Sequence, residues 1–223
     1  MTDPEVAAHK IIQMVKQELN TVHILVNNAG IQHVSSVDTF PTEKWNEIIN
    51  VNLNSSFHLM RLSIPLMKLN AHSFGRIINM SSVHGIVAST NKSAYCAAKH
   101  GLNGLTKVAA LENAKSGITV NAICPGFVRT PLIDKQIEVK MRFPEKLSHQ
   151  TNLFLLQKKK QIRAKEKKMT IEEAATDLVS EKEPSGRFTT PEQIAGMVMF
   201  LCSEAAANIT GAEMKMDGAW TVV

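Results

Sequence analysis

Four short apolar runs alternate with helix-length amphipathic stretches along this chain, and that alternation excludes most folds. The first helical stretch covers residues 4–20, with Val6, Ala7, Ile11, Met14, Val15 and Leu19 on its apolar face, Asp3 as N-cap and Pro4 at the first helical position. His23 to Asn28 follows as a buried parallel strand that ends in polar residues. A helical stretch from about Thr42 to Leu69 leads to a strand over Arg76 to Ser82. A helix around Tyr95 leads to a strand over Thr119 to Cys124, and a helix opening at Thr190-Pro-Glu leads to a strand over Glu213 to Asp217. This order predicts a parallel sheet with helices on both faces. Ligands of such sheets bind beyond the carboxyl ends of the strands, where Asn28, Ser82, Pro125 and Gly218 fall.

The 223 residues suit one domain, residues 1–223, and an apolar content of 44% supplies an ample core. No apolar run reaches membrane-spanning length and Met1-Thr-Asp-Pro does not read as a signal peptide, so no membrane partner is expected. Cys96, Cys124 and Cys202 are scattered, odd in number and without metal-ligand spacing. They read as reduced thiols of a cytoplasmic protein that holds no metal. The net charge of +5 has a local source in Lys158, Lys159, Lys160, Arg163, Lys165, Lys167 and Lys168. No aromatic residue is interleaved there to stack on bases, so the run reads as a solvated helix face and no nucleic-acid partner is expected.

Tyr95 and Lys99 stand one helical turn apart and share a face. A free phenol titrates near 10 and is a poor base at neutral pH. A neighbouring ammonium favours the phenolate, as a general base for an alcohol proton requires. The spacing alone is common, and its ordinary explanation is a packed tyrosine beside a solvated lysine. By the same standard His84 alone is a surface histidine, Lys92 a loop lysine, Gln136 a helix residue and Trp220 core.

The surroundings change those odds. Asn27-Asn-Ala-Gly30, Asn52-Leu53 within Asn50-Val-Asn-Leu, Ser82 with Tyr95 and Lys99, and Pro125-Gly126 with Thr130 occur in order over nearly the whole chain. The set resembles the short-chain dehydrogenase/reductase family, which implies a Rossmann-like doubly wound parallel sheet. Gly30-Ile-Gln-His33, Ser82-Val-His-Gly85, Ser89-Thr-Asn-Lys92, Pro131-Leu-Ile-Asp-Lys-Gln-Ile137, Glu181-Lys-Glu-Pro-Ser185 and Met216-Asp-Gly-Ala-Trp220 are similar to the D-3-hydroxybutyrate dehydrogenases of that family. That similarity implies NAD as cofactor, (R)-3-hydroxybutyrate as the small 3-hydroxy acid substrate, acetoacetate as product, and a homotetramer. It gives catalysis to Asn52, Ser82, Tyr95 and Lys99: Tyr95 as base, Lys99 as its activator and ribose ligand, Ser82 on the substrate oxygen, and Asn52 on a proton-relaying water. Asn28, Ala29, Gly30, Tyr95, Lys99, Pro125, Gly126, Val128 and Thr130 would bind the cofactor. Gln32, Ser82, His84, Lys92, Tyr95 and Gln136 would bind the substrate, several of them as donors to its carboxylate. Phe127 and Trp220 would wall the pocket.

Two departures from the family stand out. The glycine-rich turn Thr-Gly-x-x-x-Gly-x-Gly is missing from the sequence. The expected sheet is accordingly N-terminally truncated, without its first three strands, which cradle the pyrophosphate. His23 to Asn28 is then an unpaired apolar edge prone to aggregation. An internal methionine taken for the start and a true shortened relative are both open explanations. The second departure lies in residues 133–187, a charged helical segment opened in part by the capping box Thr170-Ile-Glu-Glu and expected as a substrate lid. Lys135-Gln-Ile137 recurs as Lys160-Gln-Ile162, so residues 138–162 read as an insertion. Gln136 and Gln161 then compete for the carboxylate role, and the spacing from Thr130-Pro-Leu-Ile-Asp favours Gln136. Two other functions stay open: a short-chain dehydrogenase with another substrate, and a non-catalytic fragment that does not bind NAD.

Overall fold

A computed structural model describes residues 3–71, 74–129 and 170–222, in two compact units. The first unit comprises Met1–Pro125 and Glu192–Met216, the second Gly126–Pro191 and Asp217–Val223. Within the first, strands β1 (Ile24–Asn27), β2 (Gly75–Met80), β3 (Ile118–Pro125) and β4 (Glu213–Met216) form one sheet in the order β1-β2-β3-β4. All three pairings are parallel, as the alternation of elements predicts.

Helices α1 (Pro4–Leu19), α2 (Thr42–Ile49), α3 (Ser55–Met67) and α4 (Ser93–Asn113) precede β3, and α6 (Pro191–Cys202) precedes β4. Asp3 caps α1 by accepting from the amides of Glu5 and Val6, with Pro4 at the position where a missing N–H costs nothing. Successive side chains of a strand point to opposite faces, and β2 shows what this does. Ile77 packs with Ile12, Val22, Met60, Met67, Ala109, Ile118 and Val120 under α1, α3 and α4. Ile78 packs with Ile123, Leu201 and Ala206 on the side of α6. The sheet is therefore covered on both faces where β2 and β3 run, and both isoleucines have no exposed surface.

A single helix expected over residues 42–69 is instead two helices joined by a π-helical turn at Asn50–Asn54. β1 takes the apolar edge position expected of His23 to Asn28, and it is less buried than its apolar run alone suggested. It lies at the sheet edge, with Asn27 buried but Ile24 48% and Val26 41% exposed. Its inner neighbour is tied to it by more than the backbone ladder. Asn27 is in register with Asn79 and donates from Nδ2 to Asn79 Oδ1 at 2.8 Å. Asn79 Nδ2 donates to Thr106 Oγ1 at 2.9 Å, which donates to the Leu102 carbonyl at 2.7 Å. This polar line runs from the edge strand through β2 into α4.

The turn after β2, Val83–Gly85, meets α4 at close range. A methyl group on Gly85 would lie 2.7 Å from Ser81 Oγ, 2.8 Å from Asn103 Nδ2 and 2.8 Å from the Lys99 carbonyl oxygen. One of those is helix backbone and cannot swing away, so only glycine lets α4 approach this near.

In the second unit α5 (Ile171–Ser180) opens with the expected capping box, Thr170 accepting from the Glu173 amide and Glu173 from the Thr170 amide. Ala174, Ala175 and Leu178 pack with Phe127 and Phe188. The Thr189 amide donates to the Phe127 carbonyl at 3.0 Å. Thr130, Gln136, Gln161 and the expected insertion at 138–162 lie outside the described residues. No helix among the described residues is long and apolar enough to cross a membrane.

Two outcomes follow from this packing. Val26→Lys should lower self-association through the β1 edge, read by light scattering, while shifting stability by no more than about 0.5 kcal/mol because the residue is exposed. Gly85→Ala should cost about 1–3 kcal/mol in urea denaturation, the overpacking range. A change no larger than that of a surface substitution would show that α4 has room to retreat.

Candidate active site

α4 carries polar residues one turn apart on one face: Tyr95, Lys99 and Asn103, with Thr106 one turn further. Lys99, Asn103 and Thr106 are buried, an arrangement that is stable only if each polar group meets a partner. Lys99 Nζ donates to the Met80 carbonyl at the end of β2, at 2.7 Å. Asn103 Nδ2 donates to the Gly85 carbonyl at 3.1 Å. Asn103 was not singled out from the sequence, although it repeats the Tyr95 to Lys99 spacing once more.

Ser82 is buried just past β2, and its hydroxyl accepts from the His84 amide at 3.2 Å. The same side chain hydrogen-bonds the Tyr95 phenol. Burial raises the Tyr95 phenol above its ordinary value, and the Ser82 hydrogen bond opposes that rise. Burial pushes Lys99 down to about 8. The ammonium lies 5.6 Å from the centre of the Tyr95 ring, over its face. The lowering of Tyr95 expected from sequence thus meets an opposing effect that spacing does not reveal: desolvation dominates at both groups.

The His84 ring meets the phenol ring edge to face at 6.0 Å. His84 Nε2 lies 3.1 Å from Lys92 Nζ. With the ammonium donating, Nε2 accepts, which places the ring proton on Nδ1. Burial lowers Lys92 from its ordinary value. Lys92 precedes α4 and bridges Ser35, whose amide donates to the Asn91 carbonyl at 3.0 Å. The Ile31 to Ser35 loop is thereby pinned beside the start of α4. Two polar atoms here, Gln32 Nε2 and Ser93 Oγ, are buried without a hydrogen-bond partner. Each such atom calls for a partner that the described residues do not supply. Ser93 is a second residue the sequence reading passed over.

Asn28, Ala29 and Gly30 follow β1 and are exposed. Asn52, in the π-helical turn, holds the next residue at both ends: its Oδ1 accepts from the Ile31 amide at 2.8 Å and its Nδ2 donates to the Ile31 carbonyl at 2.9 Å. The backbone at Gly30 passes so close that a methyl group there would lie 3.7 Å from Asn52 Oδ1 and 3.8 Å from Lys99 Nζ. Pro125 ends β3 and is buried. The structure thus brings Asn52, Gly30 and Lys99 together, and Ser82, Tyr95, His84 and Lys92 together. Gly126 and Val128 belong to the second unit, where Phe127 stacks on Trp220 at 5.4 Å.

This arrangement offers a phenol in contact with a hydroxyl and near an ammonium, which is proton-transfer machinery for an alcohol or carbonyl. The donors at this point suit the nicotinamide end of a dinucleotide. One proton of the buried Lys99 ammonium is engaged by Met80, which leaves donors facing the exposed Gly30 backbone for a ribose. These residues fit that group.

Comparison with known proteins gives the same direction. The short chain dehydrogenase family matches residues 1–140, and the enoyl-(acyl carrier protein) reductase family matches residues 161–221. The chain is 46% identical over 210 residues to the D-beta-hydroxybutyrate dehydrogenase of Cupriavidus necator, covering 94% of this chain and 72% of that protein. It is 44% identical over 221 residues to the enzyme of the same name from Rhizobium meliloti, covering 99% of this chain and 76% of the relative. Among solved structures it is similar to a 4-hydroxyisoleucine dehydrogenase complexed with NADH, with TM-score 0.74, 26% identity, and coverage of 100% of this chain and 80% of that one. With the parallel sheet and the Ser82, Tyr95 and Lys99 cluster already in view, the chain belongs to the short-chain dehydrogenase family of oxidoreductases.

Proposed function

We propose that this chain oxidises (R)-3-hydroxybutyrate to acetoacetate with NAD. The observation that carries the reading is the cluster around Tyr95: the Ser82 hydroxyl on its phenol, Lys99 over its ring, and the His84 ring, paired with Lys92, edge to face with it. The proposal takes its cofactor from the NADH-bound structural neighbour and its substrate from the two named relatives.

The bound nicotinamide supplies a hydride acceptor. Ser82 donates to the substrate hydroxyl oxygen and fixes its position. Tyr95 takes the hydroxyl proton at its phenolate oxygen as the carbon–oxygen double bond forms. Lys99 stabilises the phenolate and holds the nicotinamide ribose, while Asn28, Ala29, Gly30, Pro125, Gly126, Val128 and Thr130 line the cofactor. Asn52 keeps the Ile31 turn in place and serves the proton exit. Lys92, His84, Gln32 and Gln136 hold the carboxylate, and an ammonium beside an imidazole suits a charged acid better than an uncharged secondary alcohol. Exposed Phe57 on α3 and Val108 and Leu111 on α4 support association of copies through those helices into the proposed homotetramer.

NAD titration followed by oxidation assays on (R)-3-hydroxybutyrate, its S enantiomer and uncharged secondary alcohols tests this reading. The R acid should be preferred, and Tyr95→Phe should lose about 10²–10⁴-fold in kcat with the fold intact by circular dichroism. Equal rates for the uncharged alcohols would remove the carboxylate role of His84 and Lys92. A pH series tests the burial of Lys99. Its folded value of about 8 lies below the ordinary 10.5, so between those values the unfolded chain binds the extra proton and stability rises with pH. Wild type should therefore gain stability relative to Lys99→Met across that window, and parallel curves would mean that Lys99 is not desolvated.

A further inference from the structure

In the second unit Glu183 has no exposed surface, which is rare for a carboxyl without an ion-pair partner. Its Oε1 accepts from the Phe127 amide in a short hydrogen bond. Its Oε2 is buried and has no hydrogen-bond partner among the described residues. The side chain is wedged between two glycines. A methyl group on Gly218 would lie 2.8 Å from Oε2 and 3.1 Å from Glu183 Cβ, and one on Gly126 would strike Oε1. Gly218 and Ala219 both have positive φ, 54° and 73°. That strained turn is held by Asp217, whose carboxylate accepts from the Ala219 amide at 3.2 Å, the Thr221 amide at 3.0 Å and the Thr221 hydroxyl at 2.6 Å. The Ser185 amide, two residues after Glu183, donates to the Gly218 carbonyl at 3.1 Å. The two turns that Glu183 separates carry the stacked rings of Phe127 and Trp220.

We propose that Glu183 is a positioning residue: its buried carboxyl, bonded to the Gly126–Phe127 turn and packed against the Gly218–Trp220 turn, spaces the two and sets the shape of the segment that binds the nicotinamide side of the cofactor. This role rests on the reading above for its link to NAD, but its geometry stands without that reading. Protonation is part of the device. Burial raises the Glu183 carboxyl to about 7, the Phe127 amide opposes the rise, and the neighbouring charge of Asp217 adds to it. The neutral acid keeps its acceptor bond to Phe127 and avoids an uncompensated buried charge facing Asp217. Because the folded value exceeds the ordinary 4.5, the stabilising contribution is complete below about 4.5 and is lost as pH rises through about 7.

The test uses Trp220 fluorescence in full-length protein with Trp45→Phe, which removes the other tryptophan. Emission and acrylamide quenching should change with a midpoint near pH 7, and Glu183→Gln in the same background should hold the acid-side signal from pH 5 to 9. NAD affinity should weaken several-fold between pH 6 and 8.5 in the parent and stay flat in Glu183→Gln, while Glu183→Ala should be weak throughout. A Trp220 transition that persists unchanged in Glu183→Gln, or no transition in the parent, overturns the proposal. A normal Trp220 transition with no NAD binding would instead leave the positioning of the two turns intact and sink the cofactor reading.

Discussion

The site depends on satisfying a polar stripe along a buried helix face. α4 places Lys99, Asn103 and Thr106 where water does not reach, so each needs a partner from the sheet or from the turn after β2. The Met80 carbonyl answers Lys99, the Gly85 carbonyl answers Asn103, and Asn79 answers Thr106. All three partners come from β2 or its immediate continuation. Moving α4 outward by even an ångström would break three buried bonds together, each worth about 1–3 kcal/mol when its partner is left unpaired. The tight turn at Gly85 is what permits that closeness, so a residue with no chemistry of its own governs where the reactive phenol stands.

The π-helical turn does a similar service for the cofactor side. A helix that ran without interruption from Thr42 to Met67 would present Asn52 on a regular face. The extra residue per turn at Asn50–Asn54 re-aims it toward Ile31, where both polar atoms of the amide are used. The exposed backbone from Asn28 to Gly30 is thereby anchored at its following residue, Ile31, before any ligand arrives.

Much of this was legible in the sequence for physical reasons. Short continuous apolar runs marked the strands and period-3.6 patterns the helices, and cap chemistry fixed the starts of α1 and α5 at Asp3 and Thr170. The shared face of Tyr95 and Lys99 followed from helical geometry alone. What the sequence did not reveal depends on depth and distance. Desolvation raises Tyr95 and lowers Lys99, and neither effect is encoded in spacing. The π-helical turn has no local signal beyond the weak helix propensity of the asparagines and valine in Asn50 to Asn54. Gly85 looks like any turn glycine until the helix it faces is known. Asn103 was the exception, since the spacing that selected Lys99 would have selected it too.

The residues of this site divide by the stiffness of what carries them. Tyr95 and Lys99 ride on a long helix packed against the sheet, and Ser82 sits at the end of a central strand. Gln32, His84 and Lys92 sit on a loop, a short turn and the residue before the helix, joined to one another by few bonds. On the proposed reading, reaction chemistry and ligand choice would be carried by supports of different stiffness. Exchanges at Gln32 and Lys92 would then change which alcohol such a scaffold accepts, whereas His84 shares its turn with Gly85 and is bound into the stripe that moves the proton.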